Sequence, residues 1–314
     1  MLITANAFTD SLVNQLGQLT SRQATLQNEV SSGLSVEAPS DNPEAMESTL
    51  DYQSQNAAQA QYTSNITTLQ ARATSVSTVL QSMQSLISQA SEISTEAGGP
   101  NISPAEMTNY ASQVNQLINQ ATQLVNTKDA ATGQYLFGGT ASSQAPFSTT
   151  TDANGDVTAV TYNGNSSVNQ APIGDGVTVS ADIPGANTSA TGARGLVTDS
   201  QSGADLFNHL ITLRNDLSSA NATAVNGTDA TNMQKDENNI LYQVSNNGAV
   251  LTRLTAAATT ASSATTNLNT MISNSSSADM VETMVQLSQT QTAYQAALES
   301  GSKIMQLSIL NYLS

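Results

Sequence analysis

Two carboxylates flank a proline in the stretch SSGLSVEAPSDNPEAMES, residues 31–48: Asp41 before Pro43 and Glu44 after it. A close carboxylate pair can divide acid and base roles between its members. Such a pair needs a nucleophile, a second base or a cation site beside it, and no reactive cluster stands nearby in the chain. Glu44 falls instead in the first turn of a helix that Pro43 opens, where acids favour the dipole. Asp41 reads as a turn residue. His209 is the only histidine, so neither a multi-histidine metal site nor a hydrolytic triad has material to form. Thr151-Asp152-Ala153-Asn154-Gly155-Asp156 has oxygen ligands in a turn like a calcium loop, but lacks the downstream bidentate Glu and reads as a hairpin. Phosphate-binding, dinucleotide and nucleophile-elbow motifs are absent. The expectation is a protein that is not an enzyme, with no catalytic, cofactor-binding or metal residues.

Composition narrows the remaining classes. Of 314 residues, 10% are charged and 38% hydrophobic, with no Trp and no Cys. Disulfides and thiolate chemistry are excluded. The formal charge of −16 repels phosphate backbones and anionic membranes. The eight basic residues, Arg22, Arg72, Lys128, Arg194, Arg214, Lys235, Arg253 and Lys303, are too scattered to make a basic patch. The opening MLITANAFTDSLVNQL lacks the basic and apolar blocks of a cleaved secretory signal, and no apolar run is long enough to span a membrane. Partners are therefore expected to be proteins.

The elements that would present such a surface are long helices. Apolar positions recur at alternating spacings of three and four. One run is Leu12, Leu16, Leu19, Gln23, Leu26, Val30, and another is Tyr62, Ile66, Leu69, Ala73, Val76, Leu80, Met83, Ile87, Ala90. Met107 to Val125 and Ile240 to Ile272 repeat the pattern. Sustained heptads seek partner helices. Asn42-Pro43 and Ser103-Pro104 with Glu106 are helix starts. The helix from Pro43 meets no breaker before Gly98-Gly99-Pro100 and would be roughly 80 Å long. The next should end near Thr132-Gly133, with Lys128 on its C-terminal dipole. Residues 139–202 turn to short alternating pieces with Asn154-Gly155, Asn163-Gly164 and Asp175-Gly176 as turns. Residues 219–232 read as a flexible segment.

The fold class expected is mainly α: an elongated rod of long antiparallel coiled-coil helices, N- and C-terminal helices paired, with a small inserted β domain. Its domains are 1–42 with 275–314 (terminal axial coiled coil), 43–138 with 203–274 (helical rod), and 139–202 (β insertion). The terminal helices carry more apolar residues than one pair can bury. Expected assembly residues are Leu2, Ile3, Phe8, Leu12, Leu16, Leu19, Leu26 and Val30 at one end. At the other end they are Met280, Met284, Leu287, Leu298, Ile304, Leu307, Leu310 and Leu313. Gly33, Pro39, Ser40, Asp41, Asn42 and Pro43 form the expected hinge.

Four motifs then resemble a known family. They are Met1-Leu2-Ile3-Thr4 before a Leu-rich helix, and Ser32-Gly33-Leu34 through Pro39-Ser40-Asp41-Asn42-Pro43. The others are Gly133-Gln134-Tyr135-Leu136-Phe137-Gly138-Gly139-Thr140 with Pro146-Phe147, and Leu307-Ser308-Ile309-Leu310-Asn311-Tyr312-Leu313. Together they are similar to the flagellin superfamily and, within it, to the hook-associated proteins of the hook–filament junction. The joint and the tail depart from flagellin's own "SAKDDAAG" and "LSLL". The resemblance implies a secreted structural component of the bacterial flagellum, exported without a cleaved signal and assembling through its terminal helices. It would template flagellin polymerisation at the hook–filament junction. Implied partners are further copies of itself in a ring, a hook-associated protein on the hook side, flagellin or the next junction protein on the filament side, and an export chaperone. No nucleic acid and no membrane insertion are implied.

Overall fold

The computed structural model describes the backbone of residues 2–313 and the side chains of residues 9–303. Among the described residues the α-helices are α1 Leu2–Ser32, α2 Pro43–Ala97, α3 Pro104–Val125, α4 Leu206–Ser218, α5 Ala222–Ala224, α6 Ala230–Ser276 and α7 Met280–Leu313. Short strands lie between α3 and α4: β1 Phe147–Thr151, β2 Val157–Tyr162, β3 Ala171–Gly174, β4 Val177–Val179, β5 Ala186–Asn187, β6 Thr198–Asp199 and β7 Ala204–Asp205. The fold is mainly α with a small inserted β region. Two compact units divide the chain, residues 1–58 with 263–314 and residues 59–262, and both α2 and α6 run through the division.

The helix starts obey local chemistry. Asn42 Oδ1 accepts from the Ala45 amide at 3.1 Å, leaving Pro43 at the position that needs no N–H. Ser103 and Glu106 form a complete capping box. Asp279 takes the amides of Val281 and Glu282 at 3.0 and 3.1 Å and so starts α7.

In the unit of residues 59–262, α2, α3, α4 and α6 share one core with the β region. Val76, Leu80, Met83 and Ile87 of α2 pack with Val114, Ile118 and Ala121 of α3, Leu210, Leu213 and Leu217 of α4, and Met233 and Ile240 of α6. Each fully buried Leu, Ile or Met contributes about 1.5–3 kcal/mol relative to exposure. A smaller cluster sets Ile66, Leu69 and Ala73 of α2 against Leu254 and Ala261 of α6, capped by Ile173 and Val179 of the β3–β4 hairpin. The three sequence runs on α2, α3 and α6 thus face these cores, with one polar insertion that matters. Asn247, on the apolar stripe of α6, is 4% exposed and donates from Nδ2 to the Ala73 carbonyl of α2 at 2.9 Å. One and two turns earlier, Gln243 and Asn239 donate to carbonyls of Arg194, Gly195 and Leu196. This amide ladder ties the β region to α6 by satisfying buried carbonyls.

Arg72 is the other polar device of the unit. Its guanidinium pairs with Asp182 (Nε–Oδ1 2.5 Å) and Asp129 (Nη1–Oδ2 3.8 Å), and Nη2 donates to the Leu136 carbonyl at 3.0 Å. One helical cation thereby holds the segment after α3 and the segment after β4.

Three expectations are corrected. Helix α3 stops at Val125 rather than near Gly133. The Asn126 side chain there bonds both the N–H and the C=O of Phe147 at 3.0 Å, drawing the chain into β1. Lys128 accordingly lies outside the helix, 4.8 Å over the Tyr135 ring. Asn163-Gly164 makes no hairpin; Gly164 is packed against the Tyr162 hydroxyl, whereas the 152–156 and Asp175-Gly176 turns do join β1–β2 and β3–β4. Residues 219–232 are not a flexible segment but α5, a π turn Val225–Asp229 and the start of α6. Val225 is fully buried there, its carbonyl accepts from Ser94 Oγ at 2.8 Å, and Asn221 caps α5.

Candidate assembly interface

Helices α1 and α7 pack along one another in the unit of residues 1–58 and 263–314. On α1 the inward face is Leu12, Leu16, Leu19 and Val30, all half-buried, with Leu26 buried. On α7 the inward face is Thr283, Leu287, Thr290, Tyr294, Ala297 and Gly301, an unbroken alternation of spacings four and three. Thr290 is buried, and its hydroxyl returns to the Gln286 carbonyl at 2.7 Å, so the seam holds no unpaired hydroxyl at that level. Gly301 is buried where Leu12 reaches α7; a Cβ there would overlap Leu12 Cδ2. The obstruction is the end of a flexible side chain. Gly301→Ala should therefore be neutral to slightly stabilising, since Ala gains up to about 1 kcal/mol of helix propensity. Gly301→Val should destabilise the α1–α7 pair, because overpacking costs about 1–3 kcal/mol and outweighs that gain. Thermal melts of the two variants give the check, and the prediction fails if Val is tolerated as well as Ala.

This seam leaves the more apolar side of α7 outside. Val281 is 75% exposed, Met284 53%, Val285 51%, Leu298 46% and Met280 37%. At about 100° per residue, Val281 and Val285 stand roughly opposite Thr283. Beside an inward face of Thr283, Leu287, Thr290, Tyr294, Ala297 and Gly301, α7 thus shows solvent two valines and three larger apolar side chains, a surface of the kind that suits a further partner. Val13 of α1, 62% exposed, adds to the outward apolar surface.

The expected assembly residues separate accordingly. Leu12, Leu16, Leu19, Leu26, Val30 and Leu287 line the intrachain seam. Met280, Met284 and Leu298 lie outside it. The side chains of Leu2, Ile3, Phe8, Ile304, Leu307, Leu310 and Leu313 lie outside the described residues. Sequence reasoning missed Val281, Val285 and Gly301. Their signal was the Thr283–Thr290–Ala297 spacing, which small and polar residues hid.

At the joint, Gly33 adopts φ +75°, a left-handed conformation suited to glycine, and its amide returns to the Glu29 carbonyl at 2.8 Å, ending α1. The chain then pairs with the junction between α6 and α7: the Ser35 N–H donates to the Ser276 carbonyl at 2.7 Å, the Ala278 N–H to the Gly33 carbonyl at 2.9 Å, and Leu34 bridges Ser277. Asp41 Oδ2 accepts the amides of Ala38 and Glu37, at 2.9 and 3.1 Å. Those bonds hold its carboxyl below the usual range, so the turn stays formed until pH falls through that lowered value. Pro39, Ser40 and Asn42 complete this turn, and Glu44 sits in the first turn of α2.

The other candidates for chemistry are used structurally. Asp152 Oδ1 accepts the backbone amides of Asn154 and Asp156, and Asp156 Oδ1 accepts from Asn115 Nδ2 at 2.7 Å, bonds that shape the hairpin and tie it to α3. His209 Nδ1 lies 2.8 Å from Asp236 Oδ2. Among the described residues no group of three His, Cys, Asp or Glu side chains could hold a metal ion, and no helix is long and apolar enough to cross a membrane.

Residues 3–142 match the family model of the bacterial flagellin N-terminal helical region. No curated protein matches. Among solved structures, the fold is similar to a protein assigned as a flagellar hook-associated protein from Vibrio parahaemolyticus, with 20% identity and TM-score 0.62 over 76% of this chain and 100% of that one. It is similar to flagellar hook-associated protein 3 of Legionella pneumophila, at 15% identity and TM-score 0.59, covering 71% and 97%. Bacillus cereus FlgL gives 17% identity and TM-score 0.55 over 71% and 99%. The chain thus matches the flagellin N-terminal helical region over residues 3–142, and over most of its length its fold is similar to those of flagellar hook-associated proteins.

Proposed function

We infer that this chain is a structural subunit of the bacterial flagellum that joins hook to filament and gives flagellin a surface on which to polymerise. The observation that carries the reading is the outward face of α7: the helix keeps its threonine and glycine seam for α1 and leaves Val281, Met284, Val285 and Leu298 for neighbours. Such a face suits a ring of copies of the same chain, with a hook-associated protein on one side and flagellin or the next junction protein on the other. Leu2, Ile3, Phe8, Ile304, Leu307, Leu310 and Leu313 extend the assembly surface in this reading. The chain is exported without a cleaved signal, with an export chaperone covering the terminal helices, and works outside the cell as a scaffold without enzymatic activity. Residues 1–42 with 275–314 act as the axial part, and Gly33 with residues 39–43 as its hinge.

Deletion of the gene tests the role. Loss of a junction subunit leaves hooks in place while flagellin escapes into the medium. Hooks without escaping flagellin would instead mark the chain as the filament subunit, and intact filaments would end the proposal.

A further inference from the structure

The chain holds four Asn-Gly pairs, at 154–155, 163–164, 226–227 and 247–248. Such a pair carries its own reaction. The glycine nitrogen attacks the asparagine Cγ and closes an imide ring, since no Cβ on the glycine hinders the approach. Two things are required of the fold. The asparagine side chain must be free to turn onto the main chain, and the peptide between the residues must rotate out of helical geometry to bring nitrogen and Cγ together.

Three of the pairs are denied this. Asn247 is buried within α6, with Nδ2 on the Ala73 carbonyl at 2.9 Å. Asn226 belongs to the π turn, and its side chain packs over α2: a Cβ at Gly98 would stand 2.8 Å from Asn226 Cβ and 2.9 Å from Cγ. Asn163 donates from Nδ2 to Ser148 Oγ at 3.0 Å and from its amide to the Pro146 carbonyl at 2.7 Å. Its glycine, Gly164, is wedged against the Tyr162 hydroxyl and the Gly138 carbonyl, so the peptide between the two has no room to swing.

The fourth pair meets both requirements. Asn154 is exposed in the turn between β1 and β2, and among the described residues its side chain makes no hydrogen bond. Gly155 stands at φ +89°, with no atom within 4 Å of the place a Cβ would take. The Gly155 N–H rests on the Asp152 carbonyl at 3.2 Å, a long and exposed bond that water replaces at little cost. Asp152 Oδ1 meanwhile keeps the amides of Asn154 and Asp156 at 2.8 and 2.9 Å, which holds the turn while the 154–155 peptide rotates.

We propose that Asn154 is a self-modification site, which converts in the folded chain to aspartate and isoaspartate while the fold protects the other three Asn-Gly pairs. The Gly155 nitrogen bonds to Asn154 Cγ and gives its proton to solvent, and Nδ2 leaves as ammonia. Water then adds across the imide. Opening at the Cγ–N bond gives aspartate; opening at the other carbonyl gives isoaspartate, whose main chain runs through Cγ. Water is the one co-reactant, and nothing is oxidised or reduced. Either product sets a carboxylate between Asp152 and Asp156, and isoaspartate adds one carbon to the backbone of the turn. The extent of conversion records how long the chain has been folded.

Peptide mapping by mass spectrometry tests the site, on full chain aged in mildly alkaline buffer either folded or unfolded in urea. The readout is the conversion rate of each pair in the folded chain divided by its rate in urea. That ratio should stay near one at Asn154. It should fall about tenfold or more at Asn163, Asn226 and Asn247, each of which must first surrender a hydrogen bond or a packed contact. Asn154→Gln, whose longer side chain closes its larger ring far more slowly, should silence the peptide carrying residue 154 and leave the others unchanged. A ratio at Asn154 as low as at the other three overturns the proposal, as do three other ratios near one. Conversion that persists in that peptide of the Asn154→Gln variant also overturns it.

Discussion

Replacing Arg72 with methionine should destabilise the unit of residues 59–262 by about 3–5 kcal/mol, the cost of removing one partner from a buried ion pair. Asp129 is 2% exposed and Asp182 6% at their side chains, so both carboxylates would stay buried after the cation is gone. Asp182 Oδ2 keeps the backbone and side-chain donors of Asn169, and Asp129 Oδ1 keeps the Ala131 amide. The oxygens that faced Arg72 keep nothing equivalent. Methionine fills the stem's volume, so the loss is electrostatic rather than a cavity. Adding Asp182→Asn to Arg72→Met should recover part of it, because the orphaned charge is then neutral. Urea unfolding of the single and double variants measures both effects. A single variant within about 0.5 kcal/mol of the native protein, the range of ordinary surface changes, would show that the pair holds nothing together.

The second large effect separates folding from assembly. Val281→Asp with Val285→Asp should leave the free chain folded, since both positions are exposed and such changes usually cost under about 0.5 kcal/mol each. The same pair of charges should abolish incorporation into flagella, because each would be buried unpaired against a neighbour. Leu26→Asp is the contrasting variant: Leu26 is 5% exposed in the α1–α7 seam, and its replacement should loosen the monomer itself. Circular dichroism of the free chains, set beside microscopy of complemented cells, distinguishes the outcomes. Normal filaments built with the double aspartate variant would remove the outward face of α7 from the assembly surface.

Much of the fold was legible because its rules are local or periodic. Pro43, Ser103 and Gly33 act through their own backbone geometry, and the alternation from Tyr62 to Ala90 repeats often enough to rise above chance. The β2 and β4 strands were likewise plain in VTAVTY and VTV. What stayed hidden depends on partners distant in sequence. Asn126 ends α3 because of Phe147, and the π turn exists because Val225 finds a pocket by Ser94. Arg72 was visible only as one of eight scattered cations, since its carboxylates lie 57 and 110 residues away. At the candidate site, the pairing of the terminal helices followed from pattern, but the side of α7 turned inward did not. Met280, Met284 and Leu298 form part of the more obvious stripe, whereas the seam joins Leu287 and Tyr294 to the small residues Thr283, Thr290 and Gly301.

The two breaker segments, residues 33–35 and 276–278, are joined mainly through peptide groups, with the Ser35 hydroxyl adding bonds to the Ser276 and Ser277 carbonyls. A tensile load entering along α1 therefore passes into the α6–α7 junction through main-chain bonds, and the two halves of the polypeptide share the force like the strands of a spliced rope. Apart from Gly33, whose φ of +75° suits glycine, the peptide bonds of the splice do not depend on side-chain identity. Proline is the exception: at position 35 or 278 it deletes a donating N–H and cuts a strand of the splice.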